Sequence, residues 1–107
     1  MEKTIKFIPG YYEWHLIIDN ELVYVFNDGF QECFDDKTGL EAYVDLIIAC
    51  LDEEAKRGEE EEKYDATSFC DYYGKRQEMK ELWLSLNKKD KKQVAKIIKK
   101  AWSRYID

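Results

Sequence analysis

The stretch TGLEAYVDLIIACLDEEAKRG, residues 38–58, decides the fold, because the spacing of apolar residues changes where it begins. Within it Leu40, Tyr43, Val44, Ile47 and Leu51 recur three and four residues apart, the spacing of one helix face. Thr38 and Glu41 stand in capping-box spacing, and Gly58 follows Lys56 and Arg57 as a stop signal. Leu46, Ile48 and Cys50 carry apolarity further around the cylinder, so this helix is expected to be the central core helix and to lie across a sheet.

N-terminal to this helix the apolar residues alternate. Ile5 and Phe7, then Tyr12, Trp14, Leu16 and Ile18, then Leu22, Tyr24 and Phe26 mark three strands with one face each toward a core. Pro9-Gly10 breaks the first strand from the second, and Asp19-Asn20 suits a tight hairpin because both residues tolerate positive φ. After a turn at Asn27, Asp28 and Gly29, the segment from Phe30 to Phe34 reads either as a short fourth strand or as a loop.

C-terminal to the helix, residues 59–66 form an acidic connection containing Glu59, Glu60, Glu61 and Glu62. Residues 67–107 then hold the remaining helices. Phe69, Tyr72, Tyr73, Met79, Leu82, Trp83 and Leu86 fall near helical spacing, and Gly74 makes this either one kinked helix or two short ones. Asn87 or Asp90 caps a last helix, whose Val94, Ile97, Ile98, Ala101, Trp102, Tyr105 and Ile106 follow the helical pattern closely. Strands first and helices after predict a single α+β domain over residues 1–107: an antiparallel meander of three or four strands (1–34), the core helix (38–58), and three helices in all packed on one face.

The chain has 107 residues, 45% of them hydrophobic and 15% aromatic, enough for one core and too few for a two-domain enzyme. No apolar run reaches the roughly 18 residues of a membrane helix, and the start lacks a signal-peptide stretch, so a soluble cytoplasmic protein is expected. Cys33, Cys50 and Cys70 are odd in number and form no CxxC pair, which reads as reduced thiols. With one histidine, His15, and no close ligand pairs, neither a metal site nor a cofactor is expected. The five glycines are scattered singly, which argues against a phosphate-cradling loop, and no cysteine has a nucleophile motif around it. His15 reads as a strand histidine on the face opposite Trp14 and Leu16, so the protein is expected not to be an enzyme.

Charge is the informative feature. Residues 1–74 hold 6 Lys+Arg against 19 Asp+Glu, a balance of −13, whereas residues 75–107 hold 11 against 4, a balance of +7. Residues 28–62 alone carry 13 acidic and 3 basic side chains. The exposed candidates there for binding a protein partner are Asp35, Asp36, Asp45, Asp52, Glu53, Glu54, Glu59, Glu60, Glu61 and Glu62, joined by an aromatic anchor if Tyr11 or Tyr64 is exposed. Duplex DNA carries one negative charge per about 1.7 Å of its axis, so a dense carboxylate array can compete for a basic groove that normally holds nucleic acid.

In these residues the profile resembles two groups of small bacterial and phage inhibitors, the anti-CRISPR proteins and the toxin-immunity proteins. The resemblance lies in size, acidity, lack of catalytic motifs and a sheet-plus-helices build, and no motif carries a functional position across. It implies an inhibitor that occupies the basic channel of a CRISPR nuclease or toxin nuclease. The alternative uses the opposite charge. Lys88, Lys89, Lys92, Lys96, Lys99, Lys100 and Arg104 line the last helix and suit phosphate contacts in a nucleic-acid-associated or regulatory module. A variant leaves part of that helix's apolar face, with Trp102 and Tyr105, free to form a homodimer. Sequence leaves open whether this basic helix faces solvent or pairs with the acidic half.

Overall fold

Among the described residues three antiparallel strands in the order β1-β2-β3 carry three helices, the α+β arrangement expected from the change of period. The computed structural model describes residues 3–27, 34–56 and 76–106, and for Tyr105 the backbone only. The elements are β1 (Ile5–Pro9), β2 (Glu13–Ile18), β3 (Glu21–Asn27), α1 (Lys37–Lys56), α2 (Arg76–Leu84) and α3 (Lys88–Trp102), closed by a 3-10 turn at Ser103–Tyr105.

Both hairpins are tight. Asp19 and Asn20 adopt φ of 52° and 67°, the left-handed pair that a two-residue turn between twisted strands requires. In the β1–β2 hairpin the Gly10 amide donates to the Glu13 carbonyl at 2.6 Å, leaving Tyr11 and Tyr12 at the tip. Tyr12 has φ of 62° and is exposed, so it does not join the inward stripe of β2, which begins at Trp14. Asp19 also holds the start of β1, accepting the Thr4 amide at 2.9 Å and an ion pair from Lys3.

One register shift changes which residues of β3 face inward. Pairing passes from Leu16↔Tyr24 to Ile17↔Leu22, so Val23 is an extra residue, a β-bulge. Val23 and Tyr24 are therefore both buried, and Leu22 falls beside Ile17 on the outer face, half-buried. Period-two counting, which put Leu22 in the core stripe, assumes a strand without a bulge.

The first helix starts differently from its sequence signal. Asp36, not Thr38, is the cap: its Oδ1 accepts the Gly39 amide at 2.7 Å, and its carbonyl accepts from Leu40. The Thr38–Glu41 box is absent because both residues lie inside the helix. A Cβ at position 39 would come within 3.3 Å of Asp36 Oδ1 and 3.4 Å of Phe34 Cβ, so glycine there lets the cap and Phe34 close on the first turn. Leu40, Val44, Ile47, Leu51 and Ala55 are buried, whereas Leu46 is 60% exposed, so apolarity does not wrap the helix as expected.

For the last helix, Asn87 is the cap, with the reciprocal Asn87–Asp90 capping box in place. In the helix layer α3 approaches β1 most closely and α2 approaches β3, while α1 packs against both α2 and α3 rather than providing the sheet's main backbone contact. Trp102 of α3 is fully buried at the centre. Its ring meets Phe7 and Phe26 edge-on at 5.2 and 5.4 Å, and the Phe34 and Tyr43 rings lie within 6.2 Å of it. This burial removes Trp102 from any dimer surface. The fourth-strand segment apart from Phe34, Gly58, the acidic connection and the chain around Gly74 lie outside the described residues.

Candidate functional site

Helix α1 presents acidic residues in three settings. Asp35 and Asp36 stand exposed at its N-terminus, Asp36 engaged as the cap. Along its length Asp45 and Glu53 are exposed, while Asp52 and Glu54 turn toward the neighbouring helices and are half-buried. Glu59, Glu60, Glu61, Glu62 and Tyr64 lie outside the described residues.

Three of these carboxylates are already paired within the chain. Asp45 meets Lys99 at 2.9 Å, Asp52 meets Lys91 at 2.8 Å, and Glu54 meets Arg76 at 2.7 Å. The first two pairs join α1 to α3 and the third joins it to α2. Asp52 is engaged a second time, because its Oδ1 also accepts the Trp83 indole N–H at 2.7 Å, and Lys91 Nζ sits 5.5 Å over the Trp83 ring. Partial burial pushes the Asp52 carboxyl up, yet hydrogen bonds from Lys91 and Trp83 and the charges of Lys91 and Lys56 outweigh it and hold it below the ordinary carboxylate value.

The basic face of α3 divides accordingly. Lys91 and Lys99 are committed to α1. Lys88, Lys89, Lys92, Lys96, Lys100 and Arg104 are exposed, and none forms an ion pair among the described residues. Where the two faces meet, Asp45, Ile48, Asp52, Lys88, Lys91 and Lys92 border a shallow cleft of about 240 Å³. Sequence had no signal for the Asp52–Lys91–Trp83 cluster, whose members come from three helices.

Two further groups bear on chemistry. His15 is half-buried on the outer face of the sheet, with Nε2 2.7 Å from Glu13 Oε1. Cys50 is half-buried on α1 as a free thiol, and Cys33 and Cys70 lie outside the described residues. Among the described residues no group of three or more His, Cys, Asp or Glu side chains is placed to hold a metal ion, and no helix is long and apolar enough to cross a membrane. At the β1–β2 tip Tyr11 is 85% and Tyr12 70% exposed, their ring centroids 4.3 Å apart, so the aromatic anchor sought at Tyr11 is available. The chain matches no protein-family model, no curated protein and no solved structure.

Proposed function

We propose that this protein acts by binding, as a small cytoplasmic inhibitor of the anti-CRISPR or toxin-immunity type. It occupies the basic nucleic-acid channel of a bacterial effector, a CRISPR nuclease or a toxin nuclease. The supporting observation is the set of exposed carboxylates around a helix about 30 Å long: Asp35 and Asp36 at its N-terminus and Asp45 and Glu53 along its length, of which Asp36 also caps the helix and Asp45 also meets Lys99. This set leads in sequence toward Glu59, Glu60, Glu61 and Glu62. Asp52 and Glu54 act here as internal struts that orient the helix, and the exposed Tyr11 suits a protein partner. The reading calls for no cofactor and no catalytic group.

A second reading is favoured by the six cations, five on α3 and Arg104 just after it, that lack a carboxylate partner among the described residues. They suit a nucleic-acid-associated or regulatory module that holds phosphates without reading bases.

Affinity capture from bacterial lysate, comparing wild type with the joint Glu59→Lys, Glu60→Lys, Glu61→Lys, Glu62→Lys variant at low and high salt, separates the two. The inhibitor reading expects a basic nuclease that is retained by wild type, eluted by salt, absent from the variant capture, and unable to bind nucleic acid while the protein is present. Equal capture by the variant overturns the acidic mechanism. Direct binding of duplex DNA or RNA by the protein, falling steeply with salt, transfers the function to α3.

A further inference from the structure

We propose that the free edge of β1 and the groove beside it form a docking site for an extended peptide strand bearing carboxylates. This site is separate from the acidic face and does not rest on the inhibitor reading.

Among the described residues the strand order places β1 at an edge of the sheet. Its pairing with β2 fixes which backbone groups are free. Gly10 N–H donates to the Glu13 carbonyl, and Asp19 N–H to the Thr4 carbonyl, so the even-numbered residues of β1 make the ladder to β2. By the alternation of an antiparallel pair, Ile5 and Phe7 direct their N–H and C=O groups away from the sheet, and Pro9 adds a carbonyl. Two donors and three acceptors, in register and without a strand partner among the described residues, match one short added strand. Pro9, which has no N–H, limits the addition to this length.

Beside that edge lies a groove of about 480 Å³ between β1 and α3. Ile5, Phe7, Pro9, Ile97 and Ala101 supply its apolar lining, which suits the inward side chains of an added strand. Among the described residues its charged lining is cationic: Lys6 from β1, Lys100 from the end of α3 and Arg104 from the 3-10 turn that follows. None of the three forms an ion pair among the described residues. Three cations without a carboxylate partner among the described residues, around an apolar floor, select an incoming strand with carboxylates. They also disfavour a second copy of β1, which would bring its own Lys6 against this one.

The test uses the full chain, labelled with ¹⁵N, and the probe peptide acetyl-Glu-Val-Glu-Val-Glu-Val-amide, with the Lys-Val counterpart as control. The Glu-Val peptide is expected to bind and to slow amide hydrogen exchange at Ile5 and Phe7 about tenfold or more, leaving the already paired Lys6 and Ile8 amides unchanged. The Lys100→Glu, Arg104→Glu double variant, altered only at exposed positions, is expected to weaken binding at least about tenfold while keeping the wild-type amide spectrum. Three results overturn the proposal: no binding of the Glu-Val peptide, binding without protection at Ile5 and Phe7, or equal binding of the Lys-Val peptide. Protection of those two amides that rises with protein concentration alone assigns the edge to self-pairing and likewise overturns it.

Discussion

Asp52 stands where the three helices meet, accepting from both Lys91 and Trp83. Because its folded-state pKa is held low, its contribution to stability is fully present above the unfolded carboxyl value near 4 and is lost as pH falls through the lower folded value. Asp52→Ala leaves the Trp83 indole without this acceptor and removes the partner of Lys91, which should cost about 1–3 kcal/mol at neutral pH. Asp52→Asn should cost less, since an amide oxygen still accepts from Trp83. Urea unfolding at pH 7 and pH 3 checks both: the gap between wild type and Asp52→Ala is expected to narrow at pH 3, and an unchanged gap would show that the charge contributes nothing. The exposed Asp45–Lys99 pair, with Asp45 66% exposed, belongs to a class worth little.

At the scale of elements, α1 shows how two sequence signals compete. Asp35, Asp36 and Thr38 are all residue types that cap helices, and Thr38 has the added mark of Glu41 three positions on. The helix instead starts at Lys37, where Asp36 can accept the Gly39 amide and Phe34 can pack against Gly39. Packing of Phe34 under the first turn decides between near-equivalent caps. Asp36→Ala should therefore destabilise the protein by about 1 kcal/mol, whereas Thr38→Ala should lie within about 0.5 kcal/mol of wild type. Thermal melts of the two variants rank them, and the reverse order would restore Thr38 as the cap. The bulge at Val23 carries the same lesson for strands, since one inserted residue exchanges the faces of everything beyond it.

At the scale of the whole molecule, Trp102 connects the layers: β1 and β3 meet it through Phe7 and Phe26, and α1 through Tyr43. Its indole N–H is buried without a hydrogen-bond partner among the described residues, so the side chain is held by ring packing alone. Trp102→Ala should cost about 3–5 kcal/mol, a large fraction of the stability of a domain this size. Trp102→Phe should cost distinctly less, because it keeps most of the apolar contact and removes the unpaired donor. Equilibrium denaturation followed by circular dichroism measures both, and a loss below about 1 kcal/mol for Trp102→Ala would show that the helix layer holds without it.

Sequence alone determined the fold class, the order of elements, the positive-φ hairpin at Asp19-Asn20, the inward stripe of β2 from Trp14 to Ile18 and the buried Val94, Ile98 and Trp102 of α3. These follow from local periodicity and turn chemistry, which act over a few residues and are written in adjacent positions. It also determined that charge is segregated along the chain. Tertiary structure alone decided what that charge does, because α1 and α3 pack side by side. The packing commits Asp45 and Asp52 to lysines 54 and 39 positions away, and leaves five other α3 lysines and Arg104 without such partners among the described residues. The edge of β1 was equally invisible in one dimension. A free N–H exists only once the strand order and the pairing register are set, and both are products of how the whole chain folds.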